Sequence, residues 1–265
     1  MRTALNNPKL NFTTTTTPYP VTNFVKNNLK GTSPFFIVFF VSISFALIPA
    51  AMITFIMGER ERNLKHMQLI SGMSLSAYWI SNIIFDIVKS LIPCMSVLGF
   101  MKLFGLLYPN IWLSFLLYPL AITPFSYATS FLFQKETLAQ TFTIFLHFVF
   151  GGIGPIITVL LRMIQSTRVL GDKLNWVLKI IPSFCLTDTV AFQSSRDEIF
   201  RLRPDLKQPS DYDITLTGGN VVLLCVHAVF WCVVLCLIES AAFSEIMEKS
   251  LYLMKKNQIT ENKSI

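Results

Sequence analysis

A short charged segment, GERERNLKHMQLISG from Gly58 to Gly72, is clamped between two apolar runs, Phe35 to Met57 and the stretch beginning AYWISNIIFDIVKS at Ala77. Runs of about 20 apolar residues match a hydrocarbon core of about 30 Å at about 1.5 Å rise per residue. Two such runs joined so closely cannot form the core of a soluble domain. The charged link between them is placed to lie on the membrane surface and to pass motion between the bilayer and a partner in the water.

Composition agrees. Only 14% of residues are charged and 52% are hydrophobic, whereas a soluble domain carries about a quarter charged residues. The formal charge of +7 is no nucleic-acid footprint, because the bases are scattered through loops among acids, without interleaved stacking aromatics.

Five spans follow: Phe35 to Met57 with Pro49 inside it, Ala77 to Lys102 with Pro93, Ile111 to Phe133 with Pro119 and Pro124, Thr137 to Leu161 interrupted by GGIGP, and Val221 to Ile238. Proline and glycine are tolerable within spans because neighbouring helices satisfy the freed backbone groups. The expected fold is therefore an all-α polytopic transmembrane bundle of about five spans. Between the last two spans, LNWVLKIIPSFCLTDTVAF (Leu174 to Phe192) is apolar but split by Pro182, which predicts a re-entrant hairpin in preference to a sixth crossing. The polar stretch after it, Ser194 to Gly219, is expected in water.

The bases Arg60, Arg62 and Lys65 in the first loop, and Lys135 in the third, place those loops and the C-terminal tail in the cytosol. The region Arg162 to Thr217, with eight Lys or Arg, then lies outside; long loops follow the rule poorly. Residues 1–34 show no secretory pattern. Asn11 heads a glycosylation sequon on the expected lumenal side, and a second sequon at Asn262 is expected in the cytosol.

On a helical projection Glu61, Lys65, Gln68 and Gly72 share one stripe of the charged segment, and Met67, Ile70 and Met73 another. Glu61 and Lys65 are spaced i,i+4 in the favourable order. The pattern is that of an interfacial helix.

The residues Glu59, Arg60, Lys65, His66, Gln68, Ser71, Gly72, Tyr78, Trp79, Ser81, Asn82 and Asp86 reproduce, in order, a pattern of the transmembrane half of subfamily A ATP-binding-cassette transporters. ITPFSYATSFLF (Ile122 to Phe133) resembles the next block of that family, and IPSFCLTDTV (Ile181 to Val190) resembles another, with Thr189 in place of the usual glycine. The resemblance covers roughly residues 40–240. It implies the membrane domain of an ATP-driven lipid transporter, moving lipid across or out of the bilayer. Glu59 to Ser74 would be the coupling helix, with Glu59, Arg60, Lys65, His66 and Gln68 meeting a nucleotide-binding domain. Membrane lipids, that domain and a second transmembrane half are the implied partners, in the plasma membrane or an intracellular vesicle membrane. Residues 1–34 would be the remnant of an extracellular domain, 35–240 the membrane domain, and 241–265 a cytosolic tail, with the hairpin in the outer leaflet.

No Gly-Lys dipeptide occurs in the chain, so it carries no phosphate-cradling loop of the form G-x-x-x-x-G-K-[ST]. LTGGN (Leu216 to Asn220) has the look of a nucleotide-domain signature but lies directly before a span and is expected to be a loop-to-helix turn. The chain is thus expected to be no enzyme by itself, to bind no cofactor, and to draw on ATP through a partner, as a fragment, a truncated product or a subunit with a borrowed motor. A drug or polysaccharide exporter of the same architecture, or a non-transporting scaffold, are the alternatives.

Asn82, Asp86 and Lys89 share one face of the second span, where charges turn inward and pair. Asp86 and Lys89 stand at ion-pair spacing. His147, alone in an apolar run, is expected to bond between helices. No metal is expected. Cys225, Cys232 and Cys236 share a face and are expected to pack between helices. Asp86 and Glu239 are the carboxylates expected to be buried.

Overall fold

The computed structural model describes residues 23–103, 111–202 and 217–261, and among them every element is helical. Helix α1 (Asn23–Glu61) is followed by α2 (Leu64–Ile70), α3 (Leu75–Leu103), α4 (Ile111–Ser130), α5 (Glu136–Phe148), α6 (Gly154–Met163), α7 (Arg168–Leu178), α8 (Pro182–Leu202) and α9 (Thr217–Glu261). Five stretches are long and apolar enough to cross a membrane: Phe35–Glu61, Leu75–Leu103, Ile111–Ser130, Glu136–Met163 and Thr217–Ala241. They coincide with the five spans expected from the hydrophobic runs. The third ends at Ser130 rather than at Phe133, because the chain turns at Phe131 and Leu132. Asn11 and Asn262 lie outside the described residues.

Span α4 is the hub. It is the most enclosed of the five, while α3 and α9 are the least enclosed. Tyr118, Phe115 and Phe45 stack edge-to-face at the centre of the core. Phenylalanine, isoleucine and valine side chains along α3 and α9, among them Phe85, Ile92, Val229 and Phe230, point outward, as a hydrocarbon solvent permits. Cys225 and Cys236 are also exposed. These cysteines therefore face outward, not between helices of this chain as expected, because α9 turns only one side to the bundle.

The GGIGP interruption leaves the fourth span unbroken. Val149–Ile153 form a π-helical turn joining α5 to α6, and Pro155 falls in the first turn of α6, where its missing N–H costs nothing. The glycines there allow close approach. A Cβ on Gly151 would stand 3.2 Å from the Ser183 Cβ, and one on Gly152 would stand 2.8 Å from the Ser42 Oγ. The wall of the fourth span is thus thinned where α8 begins.

Pro182 opens α8, so the split in the apolar run becomes the corner between α7 and α8. The start of α8 lies deep. Ser183 bonds to His147 Nδ1 at 2.7 Å and to the Tyr118 hydroxyl at 3.2 Å. His147 sits about 17 Å from the start of a fourth span about 42 Å long, at 1.5 Å per residue. Every residue from Pro182 to Ser195 is buried, against α1, α4, α6 and α9. Ser194 and Ser195, expected in water, are therefore interior, since α8 runs unbroken past them to Leu202.

Candidate functional site

Polar side chains gather at the two ends of the bundle. Glu239 and Asn220 mark those ends on α9, about 28 Å apart along it at 1.5 Å per residue.

The first cluster surrounds the charged link. Asn63 adopts the left-handed conformation (φ 57°), which asparagine tolerates better than most residues. It breaks the helix expected from Gly58 to Gly72 into two. Glu59 and Arg60 therefore belong to the last turn of α1, and the expected Glu61–Lys65 pair does not form. Glu61 instead accepts the backbone N–H of Glu136 at 3.2 Å. A second positive φ, at Gly72 (100°), closes the far side of α2.

Glu59 accepts the Tyr78 hydroxyl at 2.6 Å, joining the ends of α1 and α3. Arg60 donates to the Ser130 carbonyl at 3.0 Å and to its hydroxyl at 3.1 Å, and its guanidinium lies 4.3 Å over the Phe131 ring. The Lys65 ammonium pairs with Glu239 and lies over the Trp79 and Tyr78 rings at 4.8 and 5.3 Å. Burial pulls the Lys65 ammonium below lysine's ordinary value, opposed by the hydrogen bond and charge of Glu239. His66 is exposed, and Gln68 is half-buried with its Oε1 unpartnered. Of the five residues expected to meet a nucleotide-binding domain, three are thus turned into the bundle. What α2 displays is His66, Met67 and Ile70, the last 85% exposed. None of its residues is buried.

In α3, Asp86 is buried and pairs with Lys89 at 2.6 Å, as the i,i+3 spacing predicts. Its other oxygen accepts the Tyr127 hydroxyl at 2.6 Å. Asn82 is half-exposed and its side chain joins no hydrogen bond with the described residues.

The second cluster was not foreseen. Asp188 of α8 accepts Asn175 Nδ2 of α7 at 2.8 Å and Asn220 Nδ2 of α9 at 2.9 Å. Asn220 also reaches Thr189, the departure from the family's glycine, at 3.1 Å. Gln193 donates to Thr217 at 3.0 Å. LTGGN is accordingly the helix start, with Thr217 and Asn220 buried in this network. Lys179, at the end of α7, has its carbonyl held by His227 at 2.7 Å while its ammonium lies 4.7 Å over the Trp176 ring. A carboxylate in the middle of the apolar SFCLTDTVAF was the available signal. Among the described residues no group of three or more His, Cys, Asp or Glu converges on a metal position.

The sequence pattern described as ABC-2 family transporter protein matches residues 1–237. The chain belongs to the ABC-2 transporter family. This ABC-2 chain is an integral, multi-pass membrane protein. It is 26% identical over 206 residues to ATP-binding cassette sub-family A member 2 of Rattus norvegicus, covering 72% of this chain and 8% of the relative. It is 28% identical over 200 residues to the phospholipid-transporting ATPase ABCA7 of Homo sapiens, covering 71% and 9%. It is 27% identical over 218 residues to the retinal-specific phospholipid-transporting ATPase ABCA4 of Bos taurus, covering 77% and 10%. The ABC-2 chain thus spans about a tenth or less of the length of these curated relatives.

Proposed function

We propose that this ABC-2 membrane domain moves lipid across or out of the bilayer, driven by ATP hydrolysis in a nucleotide-binding domain and in company with a second transmembrane half. One observation carries the reading. Helix α2 buries none of its own residues, yet Lys65 hooks it to Glu239 of α9 and Trp79 of α3. A helix displayed to a partner but pinned to the spans is a lever. The two spans it grips are the least enclosed of the five.

In this mechanism His66, Met67 and Ile70 receive the push at the cytosolic surface. Lys65 transmits it to α9 and α3, while Glu59 with Tyr78 and Arg60 with Ser130 keep α1, α3 and α4 in register. Gln68 stands between the two roles. The chain's own residues bind and reorient; the phosphate chemistry belongs to the partner. The lipid assignment is supported by the phospholipid-transporting relatives, and by the buried, polar start of α8, which enters the apolar bundle where a headgroup would need shelter. We read α7–α8 as re-entrant from the outer leaflet.

The test is reconstitution of the chain with the nucleotide-binding and second membrane halves that complete it. ATP should drive exchange of a fluorescent phospholipid between leaflets, and a non-hydrolysable analogue should not. Lipid movement that ignores ATP, or ATP hydrolysis that ignores lipid, would overturn the assignment.

A further inference from the structure

Lys179 and Asp188 are each 2% exposed, and neither has an ion-pair partner among the described residues. Asp188 is close enough to act on the charge of Lys179, as is Arg162, which is itself tied to Asp172 at 2.9 Å. No contact of ion-pair length joins Lys179 to Asp188. Around them the hydrogen bonding is incomplete in a patterned way. Asn175 and Asn220 both spend an amide N–H on the Asp188 carboxylate, and the Oδ1 of each is buried without a donor. The Lys179 ammonium is buried without an acceptor. Asn175 and Lys179 are one helical turn apart, so they share a side of α7.

Unmet buried polar atoms and unpaired buried charges are costly. Here they come as complementary halves: two carboxamide oxygens beside a carboxylate, all acceptors, and one ammonium, all donor. A single ligand that completes both halves must carry N–H donors on a cation and an anion a few atoms away. We propose that α7, α8 and the start of α9 form a binding site for a phosphoethanolamine unit, its primary ammonium toward Asp188, Asn175 and Asn220 and its phosphate toward Lys179. A quaternary ammonium has no N–H and would leave both carboxamide oxygens unmet. The proposal rests on the lipid-handling reading above and specifies the headgroup.

The site is closed in this structure, since the atoms concerned are solvent-inaccessible. Helix α7 is the element free to open it. It packs chiefly on α6 and meets α8 and α9 through Asn175 and the Lys179 carbonyl. Its other face, Trp176, Val177 and Ile180, is exposed and apolar, so a lipid could slide along it with its headgroup entering beneath.

Native mass spectrometry of the purified chain in equimolar phosphatidylethanolamine and phosphatidylcholine, matched in acyl chains, measures the preference without nucleotide. About tenfold greater retention of phosphatidylethanolamine is expected, the value of a hydrogen bond to a charged group. Lys179→Met and Asp188→Asn should each bring the ratio near one, and Lys179→Arg should keep it. Should Asp188→Asn fail to fold, the Met and Arg variants at Lys179 decide. Free phosphoethanolamine in excess distinguishes the sources: failure to displace the lipid assigns the site to the lipid, and displacement at equal concentration assigns it to the soluble molecule. Equal retention of the two lipids by the unaltered chain, or a preference that survives both Lys179→Met and Asp188→Asn, overturns the proposal. Because no ATP is involved, either result leaves the transport experiment to be judged separately.

Discussion

At the loop end of the bundle each cation is met within the chain: Lys65 by Glu239, and Arg60 by carbonyl, hydroxyl and ring. At the other end the Asp188 carboxylate is bonded only by amides, and the Lys179 ammonium by nothing but a ring face. The first arrangement leaves neither cation without a polar partner, although Glu239 Oε2 and Gln68 Oε1 are unpartnered, and suits a joint that must bear load. The second is incomplete and suits a site whose remaining partner comes and goes. The difference also separates the elements involved. The joint lies between helix ends held by long-range ties, whereas the unfinished cluster sits where α7 rests mainly on one neighbour.

The largest effect is expected at the joint. Glu239→Ala leaves Lys65 half-buried beside Trp79 with only the charge of Glu59 to oppose its own and should cost about 2 kcal/mol, less than a fully buried pair, read as a fall in melting temperature. The sign with pH is fixed. A lone buried lysine binds its proton less tightly in the folded chain than in the unfolded one, so this variant should regain stability as pH rises toward lysine's ordinary value of about 10.4. Pairing it with Lys65→Met should restore stability at neutral pH, since the uncompensated charge is gone, yet leave ATP-coupled transport low. A double variant that transports normally would remove the ion pair from the joint.

Comparable in size is the effect at the seat of α8. Gly151→Val forces branched carbons against Ser183, whose Cβ stands 3.2 Å from the position of the first added atom. Overpacking of this kind costs about 2 kcal/mol. If the start of α8 is lodged in the thinned wall of the fourth span, this variant should also loosen the His147–Ser183 bond, visible as a shifted imidazole resonance. An unshifted resonance would mean that the π-helical turn does not position it.

Within the unfinished cluster, Asn220→Ala should cost about 1.5 kcal/mol, the lower end for a hydrogen bond to a charged group. Asp188 would retain Asn175 as a donor. A loss as large as that of Glu239→Ala would show the two clusters to be built alike and would erase the contrast.

The spans were legible in the sequence because each carries its own signal, about 20 apolar residues. Asp86 with Lys89 was legible for the same reason, both partners lying within one helical turn. Lys65 was marked as functional, but its partner was misjudged: Glu61 stands at the right spacing for an unbroken helix, and only the left-handed turn at Asn63 sends Lys65 to Glu239, 174 positions away. The cluster around Asp188 was the least legible. Asn175, Asp188 and Asn220 are separated by 13 and 32 positions, and only the carboxylate of Asp188, in an apolar run, carried a signal of its own.

The smallest effect on stability should come from the face that α2 displays, and it tests the comparison from the other side. His66→Ala and Ile70→Asp touch exposed side chains without a hydrogen bond to the described residues, so each should shift stability by no more than about 0.5 kcal/mol. Both should nonetheless depress ATP-coupled lipid movement, Ile70→Asp the more, because a carboxylate would be desolvated wherever an apolar side chain docks. Lipid preference measured without ATP should stay unchanged in both, since about 28 Å of α9, at 1.5 Å per residue, separates Glu239 from Asn220. The joint would then fail while the binding site survives. If preference and coupling fell together, the two ends could not be separate devices, and α9 would have to be treated as one element that both binds and transmits.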